Sequence, residues 1–458
     1  GDLSFAYMTR TDRLDPDYNT FPGLPEKGPY PPLTRGLVRG DPYTPVMRAH
    51  EGDEVVIKVL VGAHEEEHNF SIHGVKWLSE PANTNSGYRN SWPMGISEFT
   101  EMHIGRMPGF DQGRFLDFLY KPTSAAEWQW EGDWGLLRLY RGRDSFGPAD
   151  PLEALPSNPD GRYGTGTDGS DADNGYRTTD PTRTIPSFND IAEATPSGTL
   201  TSTEGAAGLP IPVACPAGTN LVQYDLTAVA ASEVLPNRTL TYNWRTTTVV
   251  HLNEPGTPQN PPSNGPLHDP TAILFVETSD LVYPAGGGRP TLHPQAPVEP
   301  IILRANAGDC IEVVLRNDLP AAFGPFPTQY ADQDGWSGMT PIIEHFNAND
   351  VNPSLEVGLH PQLVFFDVRQ SDGANVGLNP TQYQKQTVAP GEKIAYYWYA
   401  GHVEATDTGI IATPVEFGAT GLTSSDPIKH TQKGAVGALI IEPEGSNWTL
   451  TDTQNYAG

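Results

Sequence analysis

The sequence predicts an all-β protein: two Greek-key β-sandwich domains with long irregular loops. Three observations carry this. Apolar residues alternate with polar ones in short runs such as 46-VMRAHEGDEVVIKVLVG-62 and 301-IILRANAGDCIEVVLRN-317, the period of a half-buried strand. Gly (47) and Pro (45) are abundant among 458 residues and punctuate those runs, as turns require. The two runs also resemble each other, sharing Arg-Ala-x-x-Gly-Asp before an alternating stretch. Their closing partners, 134-WGLLRLY-140 and 434-GAVGALIIEP-443, match in kind, so one β unit is repeated within the chain.

Taken in order, residues 1–40 are rich in Pro and Gly and read as an extended arm lying on the next domain. Residues 41–143 hold strand signals at 43–78, 96–105, 115–121 and 134–142, enough for one antiparallel sandwich. From 144 to 210 the chain turns acidic and rich in Gly, Pro and Thr, with few large apolar side chains. It reads as a linker or a surface loop, because it cannot bury enough area to offset the entropy of ordering. Strand signals return over 211–446, at 221–231, 272–278, 300–317, 362–368, 392–400 and 435–443, with long insertions between them; 447–458 is a tail.

A total of 28 basic against 56 acidic residues gives a formal charge of −28, which argues against nucleic acid and anionic membranes as partners and permits cation binding. No stretch approaches the ~20 apolar residues of a membrane span. The start, 1-GDLSFAYMTRTDR-13, lacks Met and an apolar signal core, so it reads as a processed end or a piece of something longer. Cys215 and Cys310 are the two cysteines; they form either a disulfide, as exported proteins do, or two buried thiols. No nucleotide-binding unit, nucleophile elbow or zinc-protease motif is present.

The densest chemistry lies at 61-VGAHEEEHNFSIHGVKWLSEP-81, where three His and three Glu fall between His64 and His73. Imidazoles at the two ends of a short strand suit copper or another divalent metal. Period-2 alternation puts His68 and His73 on opposite faces, so the two do not readily chelate one ion. Glu65, Glu66 and Glu67 beside His64 and His68 are a mixed donor set suited to Mn(II) or Zn(II), or else a solvated loop. The aspartates of the linker offer calcium a site, but without the spacing of a calcium-binding loop.

The Arg-Ala-x-x-Gly-Asp entry, the His-rich strand and the closing Gly-x-x-Gly-(apolar)-Glu-Pro strand resemble cupredoxin domains of multicopper oxidases. The phrases 64-HEEEHNFSIHG-74, 87-GYRNSWPMGISE-98 and 414-PVEFGATGL-422 resemble the large bacterial branch that includes manganese oxidases. The resemblance spans most of 40–142 and 215–446, and implies copper held by His and Cys, and an exported or periplasmic setting.

Residue by residue, the family's His-Pro-x-His-x-His-Gly motif falls on 68–74, placing His68 at a type 1 copper position and His73 at a cluster position, with Ser71 where a further His belongs. The later His-Cys-His falls on Ala125-Ala126-Glu127, with Glu131 at the remaining type 1 position. In the second repeat His360 takes the type 1 position, with Leu363 and Phe365 replacing the cluster pair. His430 takes the second type 1 position, and Ser424-Ser425-Asp426 stands for His-Cys-His. An alternative frame over 398-WYAGH-402 makes His402 a cluster ligand.

The thiolate is missing in both repeats, so the resemblance implies either part of a larger copper or manganese oxidase or a derivative with degenerate sites. A non-catalytic extracellular assembly subunit is the other expectation. Further domains or other copies of the chain, and metal cations, are the expected partners.

Overall fold

The computed structural model describes Ser4, Tyr7, and residues 47–62, 68–107, 115–123, 133–140, 215–216, 218–249, 263–323, 353–377, 379, 385–406 and 409–448. His64, the three glutamates after it, nearly all of the N-terminal arm and the whole of 144–210 lie outside them.

The first repeat comprises β1 (Met47–His50), β2 (Glu54–Leu60), β3 (His68–Ile72), β4 (Trp77–Leu78), β5 (Tyr88–Arg89), β6 (Ser91–Met94), β7 (Phe99–Arg106), β8 (Phe115–Lys121) and β9 (Gly135–Tyr140). The second begins with β10 (Leu221–Ala230), β11 (Leu240–Val249), β12 (Ser263–Asp269), β13 (Ile273–Glu277), β14 (Leu281–Val282) and β15 (Thr291–Leu292). It continues through β16 (Ile301–Asn306), β17 (Cys310–Asn317), β18 (Leu359–Pro361) and β19 (Lys393–Tyr399). β20 (Gly401–Thr406), β21 (Gly409–Pro414), β22 (Gly418–Ser424) and β23 (Val436–Glu442) complete it. Helical turns such as Ala231–Val234 and Lys429–Gln432 are a single turn long. The fold of the described residues is all-β.

The internal repeat is visible in the hydrogen bonds. The strand that carries the Arg-Ala motif in each repeat lies parallel to the closing strand of that repeat, β1 on β9 and β16 on β23, within otherwise mostly antiparallel sheets. The Arg-Ala-x-x-Gly-Asp motif makes the same turn twice. Asp53 Oδ2 accepts from the backbone N–H of His50 at 2.8 Å, and Asp309 Oδ2 accepts from that of Asn306 at 2.8 Å. Gly52 (φ +79°) and Gly308 (φ +89°) take the left-handed conformation between them, which a side chain would strain. The Ala of each motif, Ala49 and Ala305, is buried in the core.

That core runs across both repeats. Ile72, Trp77 and Phe118 of the first pack in one apolar cluster with Phe366, Val368, Trp398 and Leu439 of the second. A smaller cluster joins Tyr7, Leu119, Trp134 and Leu136 to Ala374 and Val376. A Cβ on Gly74 would lie 2.7 Å from Val368 Cγ1, so this glycine is what lets the two units close on each other.

Two sequence expectations are decided here. Cys215 and Cys310 form a disulfide, tying the residues before β10 to the start of β17. Bridging positions 95 apart in sequence removes much of the unfolded chain's freedom, typically about 2–4 kcal/mol. Urea unfolding with and without reductant is expected to show that loss, and coincident midpoints would refute it. The strand expected over 362–368 is not one. Leu363 sits at φ +66° and Val364 N donates to Gln362 O, so the chain turns, and only Phe365 forms a bridge, to Tyr399. The alternation that mimics a strand has another origin: Val364, Phe366 and Val368 are buried in the cluster shared with the first repeat.

Candidate metal centre

Between the repeats the fold brings together His73, His360 and Asp372, all buried, with a ligand atom from each within 4.8 Å of the other two. Among the described residues this is the one such group. His73 follows β3 at a turn closed by Gly74 (φ +69°), and its backbone N–H is bonded to Leu119 O on β8. His360 lies on β18, opposite Thr423 of β22.

Asp372 comes from an irregular segment, and β19 fixes that segment through the residue before it. Trp398 Nε1 donates to Ser371 O (3.1 Å), and the Tyr397 backbone N–H donates to Ser371 Oγ (3.1 Å). Asp372 N in turn donates to Gln386 Oε1 (2.7 Å). Two glycines let this segment touch β18. A Cβ on Gly373 would lie 2.0 Å from Leu359 O, and one on Gly358 would lie 1.9 Å from Gly373 O.

The imidazoles of His73 and His360 are stacked, with centroids 3.6 Å apart and planes at 18°. Both turn the Nδ1 edge toward Asp372. His73 Nδ1 lies 3.0 and 3.2 Å from the two carboxylate oxygens, and His360 Nδ1 lies 2.7 Å from the Asp372 carbonyl. An acceptor at each Nδ1 fixes its proton there, so both Nε2 atoms carry a lone pair on the side away from Asp372. His360 Nε2 is buried and has no hydrogen-bond partner among the described residues.

Burial, and the neighbouring His360, hold the His73 imidazole down to about 4, against the pull of Asp372 in the other direction. Burial acts to raise the Asp372 carboxyl, but the two imidazoles outweigh it and keep the acid well below its usual range. At neutral pH the pair is therefore a carboxylate beside a neutral His73, the protonation state in which an imidazole ligates a metal.

The other candidates lie elsewhere. His430 is fully engaged: Nε2 donates to Ser354 O at 2.7 Å, and Nδ1 accepts from Ser424 Oγ at 2.7 Å. With both nitrogens used it does not converge with His360 on an ion. His68 is half-buried on β3 opposite Met94, and is not part of the group. His402 is on β20, near Tyr88 and Glu404. His64 is outside the described residues. Asp372 is the residue that sequence reasoning missed; the polar, Gly-containing 371-SDGAN-375 inside an apolar stretch was its one signal.

No protein-family model matches the sequence, and no curated protein does either. Among solved structures the chain is similar to a copper nitrite reductase from Nitrosomonas europaea, at 12% identity and a TM-score of 0.19, over 87% of this chain and 83% of that one. It is also similar to a mutant of the laccase from B.aclada, at 9% identity and a TM-score of 0.19, over 89% of this chain and 55% of that one. Likeness at this level carries nothing about function, which is read from the residues themselves.

Proposed function

We propose that this chain binds one divalent metal ion of the copper or zinc class at the seam between its repeats, as a cupredoxin-like protein of the multicopper-oxidase kind with degenerate sites. The observation that carries this is the orphaned, buried Nε2 of His360 beside a second imidazole whose own Nδ1 is committed to a carboxylate. Imidazole donors suit Cu(II) and Zn(II), and a carboxylate bonded to the far nitrogen of a ligating His raises its basicity and fixes its orientation. His73 and His360 would hold the ion through Nε2, with Asp372 orienting both rings.

Two imidazole nitrogens on one tetrahedral ion are about 3.4 Å apart at ordinary bond lengths. The rings are stacked with planes at 18°, so binding needs them to splay out of the stack until both Nε2 lone pairs point at the ion. Both cysteines are in the disulfide, so this chain offers no thiolate and the ion is not of the blue, type 1 kind. Bound there, the ion would supply a Lewis-acid or redox centre. Electron entry and oxygen chemistry of the oxidase type call for further domains or other copies of the chain. The disulfide supports an exported setting, and no helix among the described residues is long and apolar enough to cross a membrane.

A second reading is favoured by the stacking: the paired histidine rings join two halves of a non-catalytic assembly subunit. Titration with Cu(II), followed by electron paramagnetic resonance, separates the two. One equivalent with nitrogen hyperfine structure is expected, lost on His360→Phe. Copper uptake unchanged in His360→Phe, or no uptake by the parent protein, would sink the metal reading.

A further inference from the structure

A second buried polar point lies on the seam between the repeats, away from the histidine pair. Lys76, between β3 and β4, is 8% exposed, yet its ammonium has no hydrogen-bond acceptor and no carboxylate partner among the described residues. Its Nζ lies 5.6 Å from the ring centroid of Phe417, in the segment before β22. His402 reaches the same corner from β20. Its Nδ1 is buried without a hydrogen-bond partner among the described residues, and its Nε2 is 3.9 Å from Glu404. Tyr88 of β5 closes the corner, its ring 5.0 Å from that of His402 and 6.2 Å from that of Phe417.

An amine on a long stem usually carries its charge out to water, and a buried one is normally paired. Lys76 is paired with no carboxylate among the described residues, and at 8% exposure it has little access to water, in a chain with twice as many acids as bases. The corner therefore holds a cation without an anion, a ring nitrogen without a partner, and two aromatic rings beside them.

We propose that Lys76, His402 and Tyr88 form a binding site for a small monocarboxylate, flanked by the rings of Tyr88 and Phe417. The carboxylate accepts from the Lys76 ammonium and from a protonated ring nitrogen of His402, and its negative charge supplies the partner that the protein leaves out.

Proton uptake accompanies binding. Burial holds the Lys76 ammonium down to about 7 in the free protein. Burial and the Lys76 charge hold His402 down to about 4. An anion between them favours both charged forms, so affinity falls as pH rises above 7. The other titratable groups facing the corner are Glu404, half-exposed beside His402, and Tyr88, whose phenol is raised by burial and by Glu404. Glu404 opposes the anion and so sharpens the need for Lys76.

The test is titration of the full chain with acetate by calorimetry at pH 6.5 and pH 8.5, in two buffers of different ionisation enthalpy. Saturable one-to-one binding with proton uptake is expected, weaker by about tenfold or more at the higher pH. Lys76→Met keeps the apolar stem and removes an unpaired buried charge, so its unfolding midpoint should be no lower than the parent's while acetate binding disappears. His402→Phe should weaken binding and abolish part of the proton uptake. Non-saturating heats, or binding undiminished in Lys76→Met, would overturn the proposal. Neither result bears on the metal centre, whose residues are not involved.

Discussion

Gly373→Ala is expected to destabilise the protein by about 2–5 kcal/mol and to abolish metal uptake. A Cβ at φ +78° costs about 1–2 kcal/mol for the left-handed conformation alone. Here it would also meet Leu359 O at 2.0 Å and His360 N at 2.8 Å, so β18 and the Asp372 segment must part, at an overpacking cost of about 1–3 kcal/mol. Parting them removes the Asp372 carbonyl from His360 Nδ1, the contact that sets the proton of that ring. Gly391→Ala is the control. It has φ +88° with nothing within 4 Å of its Cβ, so it should cost only the conformational term. Denaturant unfolding of both variants, giving equal losses, would show that the close approach of the two segments is unimportant.

Arg138→Met is expected to cost about 3–5 kcal/mol, because it removes the guanidinium that bonds twice to a buried carboxylate. Arg138 and Asp117 face each other across β8 and β9. The guanidinium donates twice, Nε to Oδ1 at 2.7 Å and Nη2 to Oδ2 at 2.9 Å, and Asp117 is wholly buried. Asp117 also ties the repeats together: its backbone N–H donates to Asn379 Oδ1 (3.0 Å), and its carbonyl accepts from Asn379 Nδ2. Adding Asp117→Asn should restore much of the loss, since the buried carboxylate's charge is then removed together with its guanidinium. A double variant no more stable than Arg138→Met would place the cost in the lost side-chain packing of Arg138 instead.

Much of the architecture was legible in the sequence, because it rests on local pattern. Alternating runs became strands at 54–60, 221–230 and 310–317, and the paired Arg-Ala-x-x-Gly-Asp motifs became two copies of one capped turn. The failure at 362–368 shows the limit of pattern: alternation reports which side chains are buried, and here the burying partner was the other repeat rather than a sheet neighbour. His73 and His360 were both legible as candidate ligands, each from its own repeat. Their meeting was not, because it depends on Gly74, Gly358 and Gly373 permitting backbone approaches that no spacing rule encodes. Asp372 was invisible for a related reason: Trp398 and Tyr397 hold it in place through Ser371, and those contacts exist only after β19 has packed. The cysteine pair stayed ambiguous until distance decided it, with Cα atoms 5.6 Å apart.

The apolar interior that crosses both repeats has an effect on what the duplication can do. Copies of a unit that each close their own core can be cut out, swapped or strung together like beads. These cannot: excising either one would lay bare a wall of Phe, Trp and Val that only its sibling can cover. The two halves stand or melt together, and a lesion deep in one is felt by the other.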